Sequence, residues 1–329
     1  MRKSQSGTLS RFPANPMTTT SLPLSLSNDL LTGAEWNSAR IEELFQLSGK
    51  VKTHPDDYSL ALAGRFLAVI LEKPSLRTRV TFEVGMRSLG GTAIFLDQTV
   101  TRLGERESIP DVARNLSRWV HGIVARVFEQ RELDQLAEFA SVPVINALSD
   151  RFHPCQAYAD FFTLRERFGN LRGLKLAYVG DGNNVCHSLM SAAARTGVEI
   201  RVATPAGYEP DDSIIAETRK AAGETHAALE LFRSPEQAVA GAQAVYTDVW
   251  ASMGQEEEAS ARAKIFASYQ VNDALMRCAA PDALFMHCLP AHRGAEVTDS
   301  VMDSPRSIVF DQAENRLHVQ KAILLMLLS

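Results

Sequence analysis

RFLAVIL at residues 65–71 runs directly into EKPSLRTR at 72–79 and then into VTFEVGMRSLGG at 80–91. The first stretch is a short, nearly continuous apolar run, which reads as a strand buried on both faces. The second is polar and holds Ser75, a residue suited to cap a helix start. The third continues a helix predicted over 76–89 and stops at Gly90-Gly91. Strand, polar turn and helix in that order form half of a βαβ unit. The pattern recurs, with strands expected at 92–96, 122–127 (GIVARV) and 143–147 and helices at 109–121 and 129–140. Upstream, Thr32-Gly-Ala-Glu35 reads as a capping box opening a helix to about Leu47. His153-Pro154 opens a further helix, with Pro in the first turn where its missing N–H costs nothing.

A second series follows, with strands expected at 174–180 (LKLAYVG), 198–203, 243–248 and 284–287, helices filling the gaps and a long amphipathic helix from about 307 to 328. Strands alternating with helices imply an α/β protein with parallel sheets covered on both faces. The expectation is two doubly wound parallel-sheet α/β domains joined near residues 150–170. Ligands in such sheets sit beyond the carboxyl ends of strands. Unusual polar residues collect there, at 72–79, 153–156, 181–188, 248–254 and just after His287.

Each cluster has a chemical reading and a plainer one. Ser75, Arg77 and Thr78 at a helix N-terminus make a phosphate-sized nest, or Ser75 merely caps and Arg77 is solvated. Arg126 closes a strand. His153 and Gln156 can both donate to a carbonyl oxygen. GDGNNV at 180–185 lacks the third glycine of a dinucleotide fingerprint, and the strand after it ends in Ala-Thr-Pro rather than an acid. NAD binding is therefore not expected. Asn183 and Asn184 suit a zwitterionic ligand instead. Asp248 brings a carboxylate, followed by Ser252, Met253 and Gly254. Cys288 beside His287 is either nucleophilic or a buried structural thiol.

Five of these segments in order, EKPSLRTR, HPCQ, GDGNN, DVWASMG and HCLPAHRG, with the closing SPRSIVFDQAENRLH, resemble the aspartate/ornithine carbamoyltransferase family, and its ornithine-specific members most. The resemblance covers roughly residues 30–329. It implies a carbamoyl-phosphate domain over 29–165, an ornithine domain over 166–306 and a C-terminal helix at 307–329 that packs back on the first domain. It also implies a homotrimer and the transfer of a carbamoyl group from carbamoyl phosphate to L-ornithine, without cofactor or metal. By that resemblance Ser75, Leu76, Arg77 and Thr78 hold the phosphate, and Arg126, His153 and Gln156 contact the carbamoyl phosphate. Cys288, Leu289 and Arg316 complete that side, with Cys288, Arg126, His153 and Arg77 catalytic. Asn184, Asp248, Ser252 and Met253 recognise ornithine. Leu76 stands where the family has Thr and supplies only a backbone N–H. Arg102 stands where the family has a Gln or His reaching into a neighbouring subunit's site. An N-acetylornithine enzyme and a catalytically silent homologue are the alternatives. A substrate panel separates them.

Composition agrees with a globular enzyme: 329 residues, 45% hydrophobic, 34 basic against 39 acidic side chains and a net charge of −5. That balance argues against a nucleic-acid binder. The four cysteines form no CxxC pair and fit a reducing compartment. A cytoplasmic location is the expectation. The longest apolar run, 322–328, is too short for a bilayer, and no membrane association is expected. Residues 1–28 hold ten Ser/Thr, three Pro, three basic residues and no acid. They read as a disordered extension, with an organelle transit peptide as the alternative.

Overall fold

The computed structural model describes residues 28–96, 102–251 and 258–329. The first half is a four-stranded parallel sheet in the order β2-β1-β3-β4: β1 Phe66–Leu71, β2 Thr92–Leu96, β3 Gly122–Arg126 and β4 Val144–Leu148. Its helices are α1 Ser38–Thr53, α2 Leu76–Ser88, α3 Ile109–Trp119 and α4 Gln130–Phe139. Helix α5, Pro154–Phe168, leads to the second half. There β5 Lys175–Val179, β6 Glu199–Ala203, β7 Leu229–Phe232, β8 Ala244–Thr247 and β9 Leu284–His287 form a parallel sheet ordered β7-β6-β5-β8-β9. Helices α6 Asn184–Thr196, α7 Asp212–Thr225, α8 Pro235–Val239, α9 Ala259–Phe266, α10 Asp273–Met276 and α11 Asp299–Met302 connect and flank it. Helix α12, Val309–Leu328, ends the chain.

The elements form where local chemistry demands. Ser75 accepts the Thr78 N–H and caps α2, and Gly90, at φ +84°, lets the chain leave its far end. Every residue of β3 and β8 is buried, as strands covered on both faces should be. Three expectations are corrected. Thr32 and Glu35 do bond each other, Glu35 accepting the Thr32 N–H at 2.9 Å, but Gly33 at φ +89° makes this a separate turn. The helix starts at Ser38 under the Asn37 cap, which accepts the Arg40 N–H. The gap between α7 and α8 is not all helix, because LELF at 229–232 adds the edge strand β7. Finally, α12 is less amphipathic than expected, with Gln312, Asn315, Arg316, Gln320 and Lys321 buried beside its apolar residues.

That last point shapes the whole molecule. Helix α12 packs on α1, α2 and α5, so the end of the chain returns to the first half as expected. One hydrophobic core runs from Leu44 of α1 and Leu67 of β1, through Phe161 of α5 and Leu324 of α12, to Leu176 of β5. Separate cores lie on the outer faces of the two sheets. The halves are thus joined by shared packing rather than by a bare linker. In the first sheet the strand order reverses between β1 and β3, and in the second between β5 and β8. Loops after those strands diverge to opposite faces and leave a crevice at each sheet. A single crevice of about 920 Å³ is lined from both.

Candidate functional site

The first-half wall grows out of β1, β3 and α5. The α2 turn is closed by its own hydroxyls: Ser75 Oγ donates to Thr78 Oγ1 at 3.0 Å. Thr78 Oγ1 also accepts from Arg316 of α12 at 3.3 Å, which ties the last helix to the turn. Leu76, in the first α2 turn, is 78% exposed, so only its backbone faces the nest. Arg126 ends β3 at a register shift against β4 that re-aims the side chain, as bulges beside functional sites often do. His153 starts α5, and its backbone N–H donates to Ser188 Oγ of α6 at 2.7 Å.

Arg77, Arg126 and Arg316 carry three positive charges on this wall, and among the described residues no salt bridge engages any of them. The Nε of each is buried without a hydrogen-bond partner, as are His153 Nδ1 and Gln156 Oε1. Burial first, and then repulsion from Arg316 and Arg77, brings Arg126 down to about 10. Burial and the same cations hold His153 well below the usual histidine range, so it is neutral. Cationic donors crowded together can pair with a small multivalent anion. Arg77 also reaches across the crevice, donating to the Leu289 carbonyl at 2.6 Å.

The second-half wall is different. Asp248 follows β8 and is 5% exposed. Its Oδ2 accepts from Asn183 Nδ2 at 2.8 Å, and its Oδ1 from the Val249 N–H at 2.8 Å and the Cys288 thiol at 2.9 Å. Burial, then the charge and hydrogen bond of Asp248, push the Cys288 thiol well above its ordinary range. Cys288 is therefore a thiol donor here, and Asp248 the acceptor. Its loop is set by His287, whose Nδ1 accepts the Leu289 N–H at 2.8 Å and whose Nε2 lies 3.2 Å from buried Glu296. Asp248, His287 and Cys288 come within 4.8 Å of one another, close enough to hold a metal. Both ring nitrogens of His287 are already engaged, by the Leu289 N–H and Glu296, and the Cys288 thiol is engaged with Asp248.

The crevice brings together Ser75, Leu76, Arg77, Arg126, His153, Gln156, Asn184, Asp248, Cys288, Leu289 and Arg316 of the expected residues. Thr78 stands just behind it, fully buried. Ser252 and Met253 lie outside the described residues. Arg102 is exposed, its guanidinium 4.5 Å over the Phe128 ring, and does not line its own chain's crevice. Two expectations change in detail. Asn184 donates to the Ser149 carbonyl at 2.6 Å, and it is Asn183 that holds Asp248. Gln156 commits its Nε2 to Asp160 at 2.8 Å, so the group it leaves uncommitted is a buried acceptor oxygen rather than the expected donor. The glycine of the GDGNN turn also has a packing reason: a Cβ on Gly182 would lie 2.2 Å from the Pro210 backbone nitrogen. Asp160 and Glu296, which shape the site, carry no local signal in the sequence, whereas Asn183 stands in the GDGNN motif that reads as suited to a zwitterion.

Comparison with known proteins agrees with this geometry. Residues 28–166 match the carbamoyl-P binding domain of aspartate/ornithine carbamoyltransferase, and residues 172–327 match its Asp/Orn binding domain. The ornithine carbamoyltransferase of Symbiobacterium thermophilum is 52% identical over 303 residues, covering 92% of this chain and 98% of that protein. The crystal structure of the Pyrococcus furiosus ornithine carbamoyltransferase superposes with a TM-score of 0.89 at 50% identity, over 92% of this chain and 97% of that one. An acetylornithine transcarbamylase complexed with acetylcitrulline has a TM-score of 0.82 at 32% identity, over 92% of this chain and 99% of that one. With two matched halves, a crevice between them and a relative at half identity over nearly its whole length, the chain belongs to the aspartate/ornithine carbamoyltransferase family.

Proposed function

We propose that the cationic wall binds carbamoyl phosphate, that the Asp248–Cys288 wall binds L-ornithine, and that the crevice transfers the carbamoyl group to give L-citrulline and phosphate. The observation that carries this reading is the set of three guanidiniums, Arg77, Arg126 and Arg316, with unpaired buried Nε–H groups, opposite a hydrogen-bonded carboxylate and thiol. A carbamoyl phosphate dianion supplies the counter-charge the first wall lacks. A diamino acid supplies the ammonium that Asp248 can hold.

The chemistry follows from the placement. An alkyl ammonium titrates near 10.4, so only about one amine in 10³ is a free nucleophile at pH 7. Cations on the opposite wall favour the neutral amine, and the Asp248–Cys288 pair orients it. The amine nitrogen attacks the carbonyl carbon, and negative charge builds on the carbonyl oxygen. Arg126 and neutral His153, as donors, stabilise that charge, as an oxyanion hole does. The carbon–oxygen bond to phosphate then breaks, and the nitrogen's proton passes to the leaving phosphate, which Arg77 and the α2 N-terminus hold. Gln156 Oε1 accepts from the carbamoyl –NH₂. Juxtaposing the substrates in a dry crevice supplies much of the acceleration.

The test is citrulline formation by the purified protein with both substrates, with each omitted, and with N-acetylornithine or aspartate replacing ornithine. Turnover with ornithine alone among the amines is the expected result. Preference for N-acetylornithine, or no turnover by a folded protein, overturns the reading.

The assembly proposed is a homotrimer. Leu76, Val80 and Val84 form an apolar stripe along α2, exposed by 78%, 46% and 44%, and Ile94 on edge strand β2 is also exposed. Such a stripe beside a charged site suits contact with a second copy. Light scattering is expected to give three chains per particle, falling to one in a Val80→Glu/Val84→Glu variant. An unaltered assembly in that variant places the interface elsewhere.

A further inference from the structure

The carboxylate of Asp160 lies outside the crevice yet bonds side chains from α5, β8 and α12. It is fully buried in α5, one turn beyond Gln156. Its Oδ1 accepts Gln156 Nε2 and Gln312 Nε2, both at 2.8 Å, and its Oδ2 accepts the Tyr246 hydroxyl at 2.9 Å. Gln312, on α12, in turn accepts the backbone N–H of His287, next to Cys288. Tyr246 lies on β8, two residues before Asp248. The two glutamine –NH₂ groups and the hydroxyl thus converge on one carboxyl.

A carboxamide has a donor end and an acceptor end of nearly the same shape, and its surroundings choose which faces a ligand. At Gln156 the choice is made by Asp160 Oδ1, which takes the –NH₂ and leaves Oε1 buried and without a partner among the described residues, in a side chain that lines the crevice. We propose that Asp160 is a positioning residue that holds the Gln156 carboxamide with its oxygen left free to accept, and so makes the site select a small acyl phosphate bearing –NH₂ over one bearing a methyl in that place. The proposal rests on carbamoyl phosphate occupying the first wall. Burial raises the Asp160 carboxyl to about 7. A proton taken up there sits on Oδ2 facing the Tyr246 oxygen, so Oδ1 stays an acceptor in either state. Asparagine can reproduce this arrangement, with its oxygen toward the glutamines and its –NH₂ toward Tyr246. Alanine cannot.

The experiment compares the wild-type enzyme, Asp160→Ala and Asp160→Asn. The readouts are KM for carbamoyl phosphate and inhibition constants for acetyl phosphate, its methyl analogue, and for inorganic phosphate. In Asp160→Ala, KM for carbamoyl phosphate is expected to rise about tenfold, the scale of one neutral hydrogen bond. The inhibition constants for acetyl phosphate and inorganic phosphate stay within twofold, because neither uses Gln156 Oε1. Asp160→Asn keeps the wild-type preference. Equal weakening of all three ligands in Asp160→Ala marks a merely structural role and overturns the proposal, as does an unchanged preference. Loss of the preference in Asp160→Asn overturns it too. Should Asp160→Ala not fold, Asp160→Ser, with space for a water, takes its place under the same readouts. Failure of inorganic phosphate to bind even the wild type contradicts the function proposed above rather than the role of Asp160.

Discussion

The two walls of the crevice are built on opposite electrostatic principles. On the first, Arg77, Arg126 and Arg316 crowd together with Nε–H groups that lack a partner among the described residues; burial lowers all three, and repulsion between guanidiniums adds to it at Arg126 and Arg316. On the second, Asn183, Asp248 and Cys288 satisfy one another. The first wall holds buried cations that an anion would favour. The second is already at rest, and its ligand must compete with existing hydrogen bonds. A wall of the first kind binds by charge and discriminates weakly among small phosphates. One of the second kind binds by shape and donor pattern.

Removing charge from the first wall should have the largest effect. Arg77→Ala is expected to lower kcat/KM for carbamoyl phosphate roughly 10³-fold, the scale of a lost transition-state donor, and to abolish the thermal shift produced by inorganic phosphate. The proposed ornithine wall is built on Asp248, so Asp248→Asn should cost about 10²-fold, mostly in KM for ornithine, with phosphate binding by calorimetry unchanged. If both variants weaken both ligands alike, the walls are not independent and the contrast fails. Cys288→Ala should cost about tenfold, again on the ornithine side. Because burial and Asp248 push its thiol up, Cys288 in the free enzyme should resist iodoacetamide through pH 9, while exposed Cys278 reacts first. Rapid alkylation of Cys288 at neutral pH contradicts the thiol assignment. The smallest effect belongs to the α2 cap: Ser75→Ala is expected to cost about 1 kcal/mol in a denaturant melt.

What could be read from the chain alone follows the same division. The first wall is largely local, since strand β1, the Ser75 cap, Arg77 and Thr78 lie within thirteen residues and each has a propensity or capping signal. The return of α12 to the first domain came from resemblance, and the buried face formed by Arg316 and Gln312 confirms it in physical terms. Pairings across long separations left no such trace. Asp160 meets Tyr246 and Gln312 from 86 and 152 residues away, and no periodicity marks those partners. Asn183 and Asn184 are neighbours of identical type, and only the capping geometry of α6 decides which one faces Asp248. Gln156 illustrates the same limit within one side chain. Its position was legible, but which end of its carboxamide faces the ligand is set by a carboxylate one helical turn away. Strand β7 was missed because a four-residue edge strand with a half-exposed pattern carries little signal.

The most direct test of the opposed walls is a crystal structure with a bisubstrate analogue that joins a phosphonate to ornithine through the carbamoyl position. The account predicts the phosphonate among Arg77, Ser75 and the α2 N-terminus, the carbonyl oxygen toward Arg126 and His153, and the amino-acid end against Asp248 and Asn183. An analogue bound in the reverse sense, or seated outside the crevice, contradicts it.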